Sequence, residues 1–309
     1  MFLPPLEGTE RSFSRRKFIK TNSVVLTGSL MFPGEFFRRK QKLKFGWVTD
    51  IHYAVRVPKW NRFYTESILK LREAVILFNS FNLDFVIETG DFKDQNETPV
   101  HEDTLKYLRE VEAEFAKYKG DRFHVLGNHD VDSISKEEFL TNTLNTGISK
   151  EKSFYSFMKN GYKCIVLDAC YKSDSTPYDK GNFKWTDTII PGFELEWLKN
   201  ELIIAEEPVL VFVHQLLDGR GDGDYHINNS EEVRTVLESS GKVLAVFQGH
   251  YHEGAYNKIN NIHYITEKAI VDGSGEENNS YCVATVTIDG NIRIDGYRRM
   301  EDLKLKDSV

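Results

Sequence analysis

The chain has 309 residues, 40% of them apolar and 28% charged, with 40 Lys+Arg against 47 Asp+Glu and a formal net charge of −7. These are the values of a globular protein with a sizeable core, and they exclude a wholly disordered chain, a fibre and a multi-span membrane protein. The charge is divided: residues 1–42 hold 9 basic and 3 acidic residues (+6), leaving 31 and 44 (−13) for the rest. An acidic body argues against a nucleic-acid polymer as partner, because that binding rests on clustered Lys and Arg.

The first 42 residues read as an export signal and linker. Ser14-Arg-Arg-Lys-Phe-Ile-Lys20 precedes a short apolar stretch, Val24 to Phe32, and no acid falls between Glu10 and Glu35. A basic segment followed by a modest apolar one is the pattern of an export signal, and the paired arginines resemble the twin-arginine type. This implies export, to the periplasm; the alternative is a disordered basic tail. The apolar stretch is too short, and too broken by Pro33-Gly34, to span a membrane. Cleavage is left open, because no A-x-A site is present.

From Leu43 on, short apolar runs alternate with amphipathic stretches. Leu43–Val48, Leu83–Glu88, Phe123–Leu126, Lys163–Leu167, Val209–Val213 and Val243–Phe247 each read as a buried strand. Ile68, Leu71, Val75 and Phe78 line one helical face, and Leu105, Leu108, Val111, Phe115 and Tyr118 another. Ser135 with Glu138 predicts a capping box, as does Asn229 with Glu232. Tyr281–Ile288 and Ile292–Tyr297 predict a hairpin across Asp289-Gly290-Asn291, and Phe154–Phe157 with Cys164–Leu167 another around Asn160-Gly161. The expected fold is an α/β domain, 43–304, of two stacked mixed β-sheets flanked by helices, with a tail at 305–309. Tyr171–Gly192 and Asp218–Asp224 are the long irregular stretches, where function often sits. The second reads as a mobile loop; a calcium loop would need an acid at its twelfth position, where Asn229 stands. Cys164, Cys170 and Cys282 form no C-x-x-C and read as buried free thiols.

At five places an apolar strand gives way at once to metal-capable residues: Thr49-Asp50-Ile51-His52, Gly90-Asp91, Gly127-Asn128-His129-Asp130, His214, and Gly249-His250-Tyr251-His252. Strand ends are where open α/β sheets place ligands. The i, i+2 spacing of Asp50 with His52 and of His250 with His252 predicts side chains leaving an extended segment on one side. These blocks use five of the nine histidines, and His101, His124, His226 and His263 lack such contexts. Oxygen and imidazole without sulfur suit Mn, Fe or Zn, and two-metal hydrolysis better than electron transfer. Two divalent cations against the charges of Asp50 and Asp91 leave a locally positive site, which suits a phosphate ester.

The five blocks, in this order and at these spacings, resemble the calcineurin-like metallophosphoesterases. That resemblance implies an αββα sandwich in which Asp50, His52 and His252 bind one metal and Asn128, His214 and His250 a second. Asp91 bridges the two, His129 stands beside the substrate phosphate, and Asp130 orients His129. Gly249-His-Tyr-His-Glu-Gly-Ala-Tyr, Ile262-His-Tyr-Ile-Thr-Glu and Gly296-Tyr-Arg-Arg-Met-Glu-Asp-Leu303 are further similar to the manganese-dependent ADP-ribose/CDP-alcohol diphosphatases, as are Phe45–Tyr53 and Trp197-Leu198. Two positions depart from that subfamily, which has Gln where His52 stands and Glu where Asp130 stands.

The expected activity is hydrolysis of a small phosphate ester by attack of a metal-activated hydroxide on phosphorus, in a nucleotide diphosphatase or phosphodiesterase. A phosphomonoesterase of the same fold is the alternative, and a metal-retaining but inactive scaffold is disfavoured by the complete residue set. Neither G-x-G-x-x-G nor G-x-x-x-x-G-K-[ST] occurs. Arg56, Arg62, Tyr64, Arg220 and Tyr251 are the candidates for substrate contact. The oligomeric state is left open.

Overall fold

The computed structural model describes residues 42–182, 184–219 and 223–306. The proposed export segment lies outside the described residues, except for Lys42. Among the described residues, no helix is long and apolar enough to cross a membrane.

The strands are β1 (Leu43–Val48), β2 (Phe85–Glu88), β3 (Arg122–His124), β4 (Tyr155–Lys159), β5 (Tyr162–Val166), β6 (Val209–Phe212), β7 (Val243–Gln248), β8 (Ala255–Ile259), β9 (Ile262–Thr266), β10 (Ser280–Val286), β11 (Ile292–Arg298) and β12 (Leu303–Leu305). The α-helices are α1 (Ser67–Ser80), α2 (His101–Phe115), α3 (Lys136–Asn142), α4 (Gly192–Ile204) and α5 (Ser230–Ser240). One sheet runs β12-β11-β10-β1-β2-β3 and the other β4-β5-β6-β7-β9-β8. Both are mixed. Strands β1, β2 and β3 are parallel, as are β5, β6, β7 and β9, while β10, β11, β12, β4 and β8 join antiparallel.

The side-chain period of two builds the layers. Phe45, Trp47, Phe85, Ile87, Phe212 and Phe247 point between the sheets and form the central core. Phe45 stacks on Phe85 at 4.9 Å and meets Phe212 and Phe247 edge-on. Val48 and Val86 face the opposite way, toward α1 and α2. On the second sheet Val209, Val211 and Val246 face α4 and α5. The parallel strands therefore end along one rim.

The Ser135–Glu138 capping box is formed, with each side chain on the other's backbone N–H. The Asn229–Glu232 box is not. The Asn229 side chain accepts from Ile190 N and donates to Ile190 O, so it ties a loop to α5 instead of capping the helix. The expected hairpins are present as β10–β11 and β4–β5, the latter turning on left-handed Asn160 and Gly161. A third, β8–β9, is not anticipated from the sequence. Its turn is Asn260-Asn261, both left-handed, a conformation asparagine tolerates.

His124, without a role in the sequence reading, lies buried between two carboxylates, 3.2 Å from Glu88 and 3.1 Å from Glu112. Burial opposes its charge, but Glu112 and Glu88 outweigh burial and raise its pKa to about 9. A raised folded-state pKa gives stabilisation that is complete below the unfolded value near 6.5 and is lost as pH rises through 9, worth up to about 3 kcal/mol. Urea denaturation should therefore show wild type losing stability relative to His124→Gln between pH 6.5 and 9.5. A difference that stays constant with pH would refute the pairing.

Candidate metal centre and substrate cleft

The ends of β1, β2, β6 and β7 bring their polar residues to one point. His52 Nε2 lies 3.6 Å from Asp50 Oδ1 and 3.4 Å from Asp91 Oδ2. His252 Nε2 lies 3.4 Å from Asp50 Oδ1, and His214 Nε2 lies 3.2 Å from Asp91 Oδ2. Four groups result with donor atoms within 4.8 Å of one another: Asp50–His52–His252, Asp91–His214–His250, His52–Asp91–His129 and Asp94–His129–Asp132.

The backbone achieves this differently from the expected extended segment. Asp50, His52, Asp91 and His250 all have positive φ, at 50°, 45°, 54° and 66°. Asp50 and His52 converge because the chain turns left-handed at the strand end, not through strand alternation. Non-glycine residues there are costly and mark functional sites. Two glycines allow the close approach. A Cβ on Gly127 would collide with the Asp91 backbone and carboxylate, and one on Gly90, itself at φ 97°, would strike the His214 ring.

The far nitrogens of three of the histidines are held by acceptors. His52 Nδ1 donates to Asp94 (3.1 Å), His252 Nδ1 to Asp272 (3.0 Å) and His214 Nδ1 to the Thr89 carbonyl (2.7 Å). Such outer support would turn the Nε2 lone pair toward a metal. Asp50 Oδ1, His52 Nε2, Asn128 Oδ1, His214 Nε2 and His250 Nε2 are buried and make no hydrogen bond among the described residues. Five such atoms in one place fit divalent cations, whereas an apolar interior would leave them a standing cost.

Without cations, protons balance the carboxylates. Burial disfavours ionised Asp50 and Asp91, yet the surrounding imidazoles hold both well below the usual carboxylate range. His214, opposed by burial, is raised to about 10 by Asp91 and Asp50; burial and the neighbouring His214 lower His250 to about 3.

His129 lines the cleft with its side chain a quarter exposed, and its Nδ1 lies 3.6 Å from both Asp94 and Asp132. Burial opposes its charge, but Asp94, Asp91 and Asp132 together raise its pKa to about 9. Asp130 does not face His129. Its carboxylate accepts from the backbone N–H groups of Asp91, Phe92, Lys93 and Gly127 and thereby locks two strand-end loops together. Asp132 is also paired with the buried Lys93 ammonium. The sequence signals for these acids are Asp94, three residues after Asp91, and Asp132, two after Asp130.

Asp91, Asn128, His129, His250 and His252 open into a cavity of about 490 Å³ that is also lined by Arg62, Trp60, Trp185 and Tyr225. None of the three aromatics is named by the sequence reading. Trp185 and Tyr225 lie 6.0 and 5.4 Å from the His250 ring, and Trp60 is 82% exposed. Among the substrate candidates, Arg62 lines the cavity. Tyr64 does not: it is 2% exposed, in the core beneath the Arg56 guanidinium. Tyr251 stands behind Tyr225, ring to ring at 5.3 Å. Arg56 is spent on the Gln95 carbonyl and Asp94, and Arg220 lies outside the described residues.

A family model described as calcineurin-like phosphoesterase matches residues 43–254. A manganese-dependent ADP-ribose/CDP-alcohol diphosphatase of Arabidopsis thaliana is 25% identical over 262 residues, covering 71% of this chain and 82% of its own length. A 3′,5′-cyclic-nucleotide phosphodiesterase of Nostoc is 24% identical, covering 73% of this chain and 77% of the relative. A dimetal phosphatase from Danio rerio has the same fold, with a TM-score of 0.75 and 22% identity over 86% of this chain and 99% of the other.

Metal-stripped protein should gain thermal stability on adding Mn²⁺, because the cation binds only the assembled site. Asp91→Ala should lose that gain and all turnover. A full Mn²⁺-induced rise in Tm in the variant would contradict a shared role for Asp91.

Proposed function

The chain belongs to the calcineurin-like phosphoesterase family and is a metal-dependent hydrolase of small phosphate esters; we propose that its substrate is a diphosphate or phosphodiester carrying a flat ring. Asp50, His52 and His252 would hold one cation, Asn128, His214 and His250 the other, and Asp91 would serve both. Bound there, the cations supply an activated water and offset charge on the phosphoryl oxygens.

This chain's own groups supply the rest. His129, kept protonated by Asp94 and Asp132, donates a hydrogen bond to the phosphoryl group or a proton to the leaving oxygen. Arg62 adds positive charge at the rim. The observation that carries the substrate class is the aromatic lining: Trp60, Trp185 and Tyr225, the last two 5.5 Å apart ring to ring, line a cavity sized for a small ligand. Relatives named for ADP-ribose, CDP-alcohol and cyclic-nucleotide hydrolysis support this class, and one named as a serine/threonine-protein phosphatase is the ground for the monoester alternative. Export through the twin-arginine segment belongs to the same proposal and rests on the sequence of residues 14–32 alone.

Metal-stripped protein, resupplied with Mn²⁺, should be assayed on a phosphomonoester, a phosphodiester, ADP-ribose and a cyclic nucleotide. The expected kcat/KM favours a ring-bearing diphosphate or diester by about tenfold or more; a similar preference for the monoester overturns the substrate class. His129→Ala should lower kcat by about 10²–10⁴-fold while bound metal is unchanged. A loss under about threefold would remove His129 from the reaction.

A further inference from the structure

The buried face of α1 contains Ser67, Lys70, Leu71, Ala74, Val75 and Phe78, so a lysine occupies a position that helical periodicity assigns to the core. Lys70 is 1% exposed. Its ammonium donates to the main-chain carbonyls of Ile270 (3.0 Å), Asp272 (2.9 Å) and Gly273 (2.6 Å), with Asn278 O at 3.5 Å. A buried ammonium is tolerated where such acceptors satisfy it, and removing it strands them.

The segment that it grips borders the candidate centre on the side of Asp50 and His252. Ala269 N donates to His252 O, Ile270 N to Thr49 O and Val271 N to Asp50 O. The Asp272 carboxylate holds His252 Nδ1 at 3.0 Å. Phe63 N donates to Val271 O and Gly273 N to Asn61 O, which fixes the rim loop carrying Trp60 and Arg62. One strap, 269–273, thus sets two of the three residues assigned to the first cation, and it has no regular element of its own to stiffen it.

We propose that Lys70 is a positioning residue for the first metal site, its ammonium clamping the 269–273 strap so that Asp272 aims His252 at Asp50. This rests on the reading of Asp50 and His252 as metal ligands. The consequence is selective: among the described residues no hydrogen bond joins the strap directly to Asn128, His214 or His250.

The test uses the full chain, metal-stripped, with Mn²⁺ titrated by calorimetry and bound Mn counted after desalting. Wild type is expected to bind two Mn²⁺. Lys70→Met is expected to keep one at wild-type affinity and to weaken the other by about tenfold or more, with Asp272→Asn reproducing the defect, as losses of outer support do. Lys70→Gln, which retains two N–H donors without the charge, should be intermediate, and it carries the test if the Met variant does not fold. A merely structural role would lower the Tm of the metal-free protein and leave both affinities unchanged, and that result overturns the clamp. Wild type that binds no Mn²⁺, or His252→Ala that binds two as wild type does, overturns the metal reading and the clamp together.

Discussion

Everything at the strand-end rim follows from a desolvation constraint. A carboxylate oxygen, an amide oxygen and three imidazole nitrogens are buried beside one another and make no hydrogen bond among the described residues. Each such atom costs about 1–3 kcal/mol if left unsatisfied, and the Asp91 carboxylate shares the same space. An interior of this kind persists where cations complete it and where the frame leaves no other arrangement. Four left-handed strand-end residues, the glycines at 90 and 127, and Asp130 on four backbone N–H groups are that frame. The frame is itself held from outside, by Asp94, Asp272 and the Thr89 carbonyl on the imidazoles and by Lys70 on the strap.

The same constraint explains how an acidic protein handles an anionic substrate. The body carries −13 outside the first 42 residues, so its general surface does not attract phosphate. On the proposed function, attraction is confined to the cleft, where two divalent cations would exceed the charge of Asp50 and Asp91 and Arg62 adds its own charge. The aromatic lining would then supply what charge cannot, the proposed preference for the group attached to the phosphate.

Much of this is legible in the residues alone, and what is not has physical reasons. Strands β1, β2, β6 and β7 are buried on both faces, so they appear as continuous apolar runs. Strand β8 is a half-buried edge, Ala-Tyr-Asn-Lys-Ile, with no such run to mark it. The convergence of Asp50, His52, Asp91, Asn128, His214, His250 and His252 is legible because each follows a strand end. The role of Asp130 is not, because adjacency to His129 in sequence does not survive the 3₁₀ turn at Asn128–Val131, which aims the carboxylate back at the loops. Tyr64 and Arg56 have the chemistry of substrate contacts, but one is in the core and the other is already bonded. Asp272 and Lys70 are about 200 residues apart in sequence, and nothing local ties either to His252.

The central claim is that two cations complete this cluster. The most direct measurement is anomalous diffraction at the manganese edge from crystals soaked in Mn²⁺. The account predicts two peaks, one bounded by Asp50, His52 and His252, the other by Asn128, His214 and His250, with Asp91 touching both. A single peak, or peaks away from these side chains, would contradict it.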